Sequence, residues 1–101
     1  MAYGLRHIVC FKFKPATPAE LLEQFIQDGR QLKALITELD FFIDMRTSVT
    51  EDRTKGFSHF LYSEFHGKDQ LQVYAEHPKH KEFVAKFKPH FEDVMAFDLP
   101  M

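Results

Sequence analysis

Leu5-Arg6-His7-Ile8-Val9-Cys10-Phe11-Lys12-Phe13 alternates with a period of two. Leu5, His7, Val9, Phe11 and Phe13 share one face, and Arg6, Ile8, Cys10 and Lys12 share the other. Successive strand side chains point to opposite faces, so the pattern predicts a strand over 5–13. Lys14-Pro15 ends it. Thr17-Pro18-Ala19-Glu20 then sets out an N-cap, a proline at the first helical position and a capping-box glutamate. The helix expected over 18–37 carries an apolar stripe running from Leu21, Leu22, Phe25 and Ile26 to Leu32, Leu35, Ile36 and Leu39.

The same two periods organise the remainder. Residues 41–49 read as a second strand, with Phe41, Ile43, Met45, Thr47 and Val49 on one side. The polar run 50–56 is a hairpin-like loop. Residues 57–65 form a third strand: Phe57, His59, Leu61, Ser63 and Phe65 face one way, and Ser58, Phe60, Tyr62 and Glu64 the other. His66-Gly67 turns the chain into a helix over 68–76, which stops because Pro78 disfavours helical geometry in the residue before it. Pro78 opens a further helix over 78–88, closed by Pro89, and residues 92–98 form the last strand. The order is β-α-β-β-α-β with the second helix split in two. It predicts an α+β domain spanning 1–101, a four-stranded antiparallel sheet with helices on one face.

One sheet face then has no cover from its own chain, yet it carries Ile8, Cys10, Phe60 and Tyr62. An uncovered apolar patch on so small a domain is an interface, and two-fold pairing of sheet on sheet would bury it. We therefore expect a homodimer.

Composition narrows the partners. The 101 residues are 45% apolar and 28% charged, a globular balance, with twelve Phe, three Tyr and no Trp. A formal charge of −2 argues against nucleic acid, which selects a basic excess. No run approaches the roughly 20 apolar residues of a membrane span, and Arg6, His7 and Lys12 interrupt any leader-like core, so a cytoplasmic location is expected. The lone Cys10 excludes an internal disulfide and fits a reducing compartment. There is no GxGxxG and no P-loop to hold a nucleotide.

Six histidines carry the chemical interest. His7 and His59 fall on the core-facing rows of the two strands expected at the centre of the sheet. Buried imidazoles need hydrogen bonds, so the pair forms either a core network or the polar wall of a pocket. Tyr74, His77 and His80 form a second cluster at three-residue spacing, which keeps side chains on one helical face. The Pro78 break makes His77 the expected N-cap of the next helix. Imidazole suits proton transfer near neutrality, and a tyrosine hydroxyl stabilises a carbonyl oxygen that gains charge. His7, His59, His77 and His80 offer nitrogens for zinc, but their spacing matches no zinc motif and no metal is expected. Cys10 lies on the opposite face from His7, which disfavours a Cys–His nucleophile. His66 and His90 read as loop or helix-end residues, and Lys79, Lys81, Lys86 and Lys88 as a solvated helix face.

These segments together resemble a known family. His7-Ile8-Val9 leading into Phe11-Lys12-Phe13-Lys14-Pro15, then Gly56-Phe57-Ser58-His59, Tyr74-Ala75-Glu76-His77-Pro78-Lys79-His80 and Phe97-Asp98 match the stress-responsive dimeric α/β-barrel (Dabb) family in order and spacing. The resemblance implies a ferredoxin-like fold and two sheets packed into a barrel by dimerisation. Many members of the family have no assigned activity, and some plant members are stress-induced. A plant polyketide cyclase among them closes a linear substrate by aldol condensation without a cofactor. Carried over, its working residues imply His80 as general base and Tyr74 as the carbonyl's hydrogen-bond donor, with His7, His59 and His77 in support.

Three functional expectations follow. The first is a cofactor-independent enzyme acting on a small hydrophobic carbonyl or aromatic compound, of cyclase or lyase type. Its pocket walls would come from Phe57, Leu61, Phe83, Val84 and Phe87. The second is a non-catalytic dimeric stress or ligand-binding protein whose histidines bond within the core. The third is a cofactor-free monooxygenase-like member of the wider barrel superfamily.

Overall fold

The computed structural model describes residues 3–101. The alternating stretch forms β1 (Leu5–Phe13), followed by α1 (Ala19–Leu35), β2 (Phe42–Thr47) and β3 (His59–Phe65). Then come α2 (Lys68–Glu76), α3 (Pro78–Phe87), a 3₁₀ turn over 88–90 and β4 (Phe91–Pro100). The sheet order is β2-β3-β1-β4 and every pairing is antiparallel, so β1 and β3 are central as expected.

Several boundaries differ from the expected ones, each for a local reason. Thr17 does not cap α1. Its hydroxyl donates to the Lys14 carbonyl at 2.7 Å and closes the turn after β1. The N-cap is Pro18, whose carbonyl takes the N–H groups of Leu21 and Leu22. The helix ends at Leu35, with Ile36 already out of helical geometry yet fully buried. β2 is shorter than 41–49: Phe41 is buried just before it, whereas Val49 is fully exposed beyond it. β3 starts at His59 rather than Phe57, because the preceding loop turns through Lys55 and Gly56 at positive φ. Gly56 also passes against the Lys12 side chain, where a Cβ would stand 2.6 Å from Cε. β4 runs longer than 92–98, since its register with β1 extends from Phe91 opposite Phe13 to Pro100 opposite Leu5.

The core fills the space between the helices and one face of the sheet. Phe25 of α1, Tyr74 of α2 and Phe83 and Phe87 of α3 pack against Phe11, Ile43, Met45, Leu61 and Phe65. Phe25 is its centre. Its ring centroid lies 4.8–5.9 Å from those of Phe11, Phe13, His59, Phe83, Phe87 and Phe91. Most of these pairs are edge-to-face, the arrangement that ring quadrupoles favour.

The opposite sheet face has no helix. Ile8, Phe60 and Tyr62 are half-buried there, with Phe42, Met95, Phe97 and Leu99 exposed around them; Phe97 retains 45% of its surface. Cys10, expected on this face, is on it but buried, between its cross-strand partners Phe60 and Met95. Among the described residues no helix is long and apolar enough to cross a membrane.

Phe25→Ala would leave a cavity among six rings. We expect it to destabilise the fold by about 3–5 kcal/mol in urea denaturation. A loss below about 1 kcal/mol would show that the ring cluster is not the pivot of the core.

Candidate active site

Pro78 has no N–H, and the consequences build the site. The Tyr74 carbonyl, which would bond residue 78 in a continuous helix, takes the His77 N–H at 3.2 Å instead. His77 is extended and serves as C-cap of α2 and N-cap of α3. Its Nδ1 accepts the Lys79 N–H at 3.1 Å, and Nε2 meets the Glu38 carboxylate at 2.7 Å. Lys79 is thereby diverted from Ala75, whose orphaned carbonyl accepts His80 Nδ1–H at 3.0 Å. The bond assigns the proton of a neutral His80 to Nδ1 and leaves the lone pair on Nε2.

The bend turns one side of each helix toward the sheet. Leu71, Tyr74 and Ala75 of α2 and His80, Phe83 and Val84 of α3 close over His7, Val9, Phe11, Leu61 and Val94, with Phe91 and Lys88 at the α3 end. They line a cavity of about 440 Å³, the scale of small-molecule sites. Its wall is largely apolar. Its polar side chains are His7, Tyr74, His80 and Lys88, and among the described residues no carboxylate lines it.

Tyr74 is the unusual member. Its ring is 1% exposed and lies tilted against those of His80, Phe65 and Phe41, at centroid distances of 4.5, 5.1 and 5.5 Å. Its hydroxyl is buried and has no hydrogen-bond partner among the described residues. An unpaired buried hydroxyl costs about 1–3 kcal/mol. Burial also pushes the phenol well above its ordinary pKa, so the group stays a donor. His80 moves down, chiefly through burial. The Ala75 carbonyl opposes that shift, and His7 and His77 add to it. Neutral imidazole is therefore its resting form near pH 7.

His7 faces the cavity from β1, its ring centroid 6.4 Å from that of Tyr74. Its Nδ1 lies 2.6 Å from the carboxylate of Asp98, its register partner on β4. An ionised carboxylate only accepts, so the proton sits on Nδ1. In the sequence Asp98 is an ordinary strand residue. Its link to His7 required the strand register, which no local pattern carries. Lys88, expected on a solvated face, lines the cavity because the chain leaves α3 there in a 3₁₀ turn.

Other expected members lie elsewhere. His59 shares the sheet face of His7 but sits opposite Phe11, wedged against Phe13 and Phe25 with Nδ1 2.7 Å from the Ser58 hydroxyl. It is buried, which lowers its pKa, and it does not line the cavity. His77 is held at the helix junction, outside the lining. Phe87 is wholly buried against Phe25, and Phe57 belongs to a separate hollow beneath the 48–58 loop. Leu61, Phe83 and Val84 do form walls. His66 pairs with Asp40 at 3.0 Å. Among the described residues no three His, Cys, Asp or Glu side chains gather as a metal-binding group.

Sheet order and a single helical layer define a ferredoxin-like α+β protein. The chain belongs to the Dabb family, the stress responsive A/B barrel domain, whose model matches residues 5–101. It is 27% identical over 94 residues to the stress-response A/B barrel domain-containing protein HS1 of Arabidopsis thaliana, covering 93% of this chain and 86% of that protein. The hydroxynitrile lyase of Passiflora edulis superposes with a TM-score of 0.84 at 25% identity, over 98% of this chain and 94% of its own. A dimeric ferredoxin-like protein of unknown function from Thermobifida fusca superposes with a TM-score of 0.84 at 23% identity, over 100% and 93% of the two chains.

Because the Tyr74 hydroxyl has no partner, Tyr74→Phe removes a desolvated polar atom and loses no bond. Thermal and urea unfolding should show stability unchanged or raised by up to about 1 kcal/mol. A clear loss of stability would mean that the hydroxyl holds the fold together.

Proposed function

We propose that the cavity binds a small, largely apolar carbonyl compound and that His80 and Tyr74 carry out cofactor-independent acid–base chemistry on it. The observation that carries this reading is a cavity whose wall holds Tyr74, with its buried and unpartnered hydroxyl, beside a neutral imidazole. His80 Nε2 takes an acidic proton from the carbon next to the carbonyl, and the electron pair moves onto oxygen. Tyr74 donates a hydrogen bond to that oxygen as its charge grows. The enolate carbon then attacks a second carbonyl of the same molecule and forms a carbon–carbon bond. The proton held by His80 passes to the new alkoxide, which leaves the catalyst unchanged. This is aldol-type cyclisation, and run backward it is a lyase reaction. The hydroxynitrile lyase relative supports the lyase direction, and the resemblance to a polyketide cyclase supports the ring-closing one. His7, oriented by Asp98, contributes a further nitrogen to the wall. His59 acts from within the core, and His77 holds the α2–α3 junction.

The reading extends to assembly. The open sheet face presents Ile8, Phe60, Tyr62, Phe42, Met95, Phe97 and Leu99, a patch suited to a second copy of itself. The dimeric Thermobifida fusca protein supports a homodimer. The chemistry would then stay within one subunit, on the helix-covered side.

With a β-polyketide acid or thioester, or a hydroxynitrile, as substrate, His80→Ala and Tyr74→Phe should each lower kcat/KM by about 10²- to 10³-fold. Full activity in both variants would sink the mechanism. If both variants instead mainly lose thermal stability, the non-catalytic reading takes its place.

The pH profile has a definite sign. Protonated His80 cannot act as base, so kcat/KM should rise with pH through a limb below 6.5, its ordinary value being lowered. Since burial raises the Tyr74 phenol, activity should not fall as pH approaches 10. An acid limb above pH 7 would exclude His80 as the base.

Phe97→Glu should convert a sedimenting dimer into monomer, the cavity residues being untouched. A wild-type chain that sediments as a monomer at tens of micromolar would count against the paired sheets.

A further inference from the structure

A second hollow adjoins the cavity along the two short helices. Shallower and of about 340 Å³, it shares Ala75, His80, Val84 and Lys88 with the cavity, and Lys81 and Ala85 complete its rim. Lys88 thus borders both spaces, and Lys81 lies seven residues earlier on the same side of the helix. The two ammonium groups differ from their neighbours on α3. Lys79 is paired with Glu82 at 3.7 Å and Lys86 with Asp28 at 2.7 Å. Among the described residues Lys81 and Lys88 have no ion pair, and no Asp or Glu lines either hollow.

The cavity is therefore largely apolar, with Tyr74 and His80 in its wall, and Lys88 stands at its border with a hollow whose rim also carries Lys81. Uncompensated charge at the mouth of a low-dielectric cleft raises the local concentration of ligands of opposite sign. We propose that the ligand of this site is an amphipathic anion, with its carbonyl-bearing apolar body in the cavity and an anionic oxyacid end, carboxylate or phosphate ester, seated between Lys81 and Lys88. The proposal rests on the cavity being the ligand site and deepens that reading by assigning the substrate's charge. Lys81 and Lys88 are specificity-determining residues; neither takes part in the proton transfer.

Binding of octanoate, octyl phosphate and octanamide, measured by isothermal titration calorimetry, separates charge from chain length. Both anions should bind the wild-type protein at least about five-fold more tightly than octanamide, an advantage that shrinks as salt is raised. The double variant Lys81→Gln/Lys88→Gln should lose the advantage of the anions over octanamide. The anion with the larger salt-sensitive gain identifies the end group. Equal affinity for all three probes, an advantage unaltered in the double variant, or no binding of any probe would overturn the proposal. The same titrations on His80→Ala, beside its turnover of the polyketide or hydroxynitrile substrate, keep the two readings apart. Lost turnover with retained anion preference leaves both standing, whereas retained turnover with anion preference removes only the assigned base.

Discussion

A proline nitrogen cannot donate, and the polar side of the cavity follows from that constraint at position 78. A continuous helix over 68–87 would satisfy its own carbonyls and present one straight stripe to the sheet. With Pro78 in place, the Tyr74 carbonyl turns to the His77 N–H, and Lys79 turns to the His77 ring. The Ala75 carbonyl is left for His80. One missing hydrogen atom thus bends the layer, fixes the His80 tautomer and brings that ring to 4.5 Å from Tyr74. Glu38 holds the bend from outside through His77.

The aromatic core supplies the rigidity against which this bend works. Phe25 ties α1 to α3 and to the far end of β1, whereas Tyr74 rests on Phe41 and Phe65 at the near end. The cavity lies between these two ring clusters. Its position explains why two histidines on one sheet face have different surroundings. His7 and the residue opposite His59, Phe11, are four positions apart on β1. At the rise of a strand this is about 13 Å, enough to put one imidazole in the cavity and the other under Phe25. Periodicity assigns a side chain to a face and does not say where along the face a helix leaves a gap.

How legible the molecule was in its sequence varies by level. Element order, the central placement of β1 and β3 and the split second helix were all readable from alternation, proline placement and turn residues. Tyr74, His77 and His80 could be grouped because they lie within one helical turn and its break. Element ends were harder to place, as Thr17 and Val49 show. A hydroxyl that suits a helix cap can equally close a turn, and an apolar residue in phase can lie past the last paired strand position. Asp98 and Lys88 were not identifiable locally. Each is an ordinary charged residue until the β1–β4 register or the 3₁₀ exit from α3 sets it beside the cavity.

The alternating stretch at 5–13 and the proline at 78 were sufficient, by themselves, to determine a sheet with one covered and one open face and a helical layer broken above it. Both are short-range constraints, set by side-chain direction and by the absence of a backbone donor. Only the tertiary structure decided which polar groups meet. It joined His7 to Asp98, kept His59 apart, left the Tyr74 hydroxyl without a partner and brought Lys88 to the cavity's end. Those outcomes depend on strand register and on the packing of rings distant in sequence, and neither is encoded in any one segment.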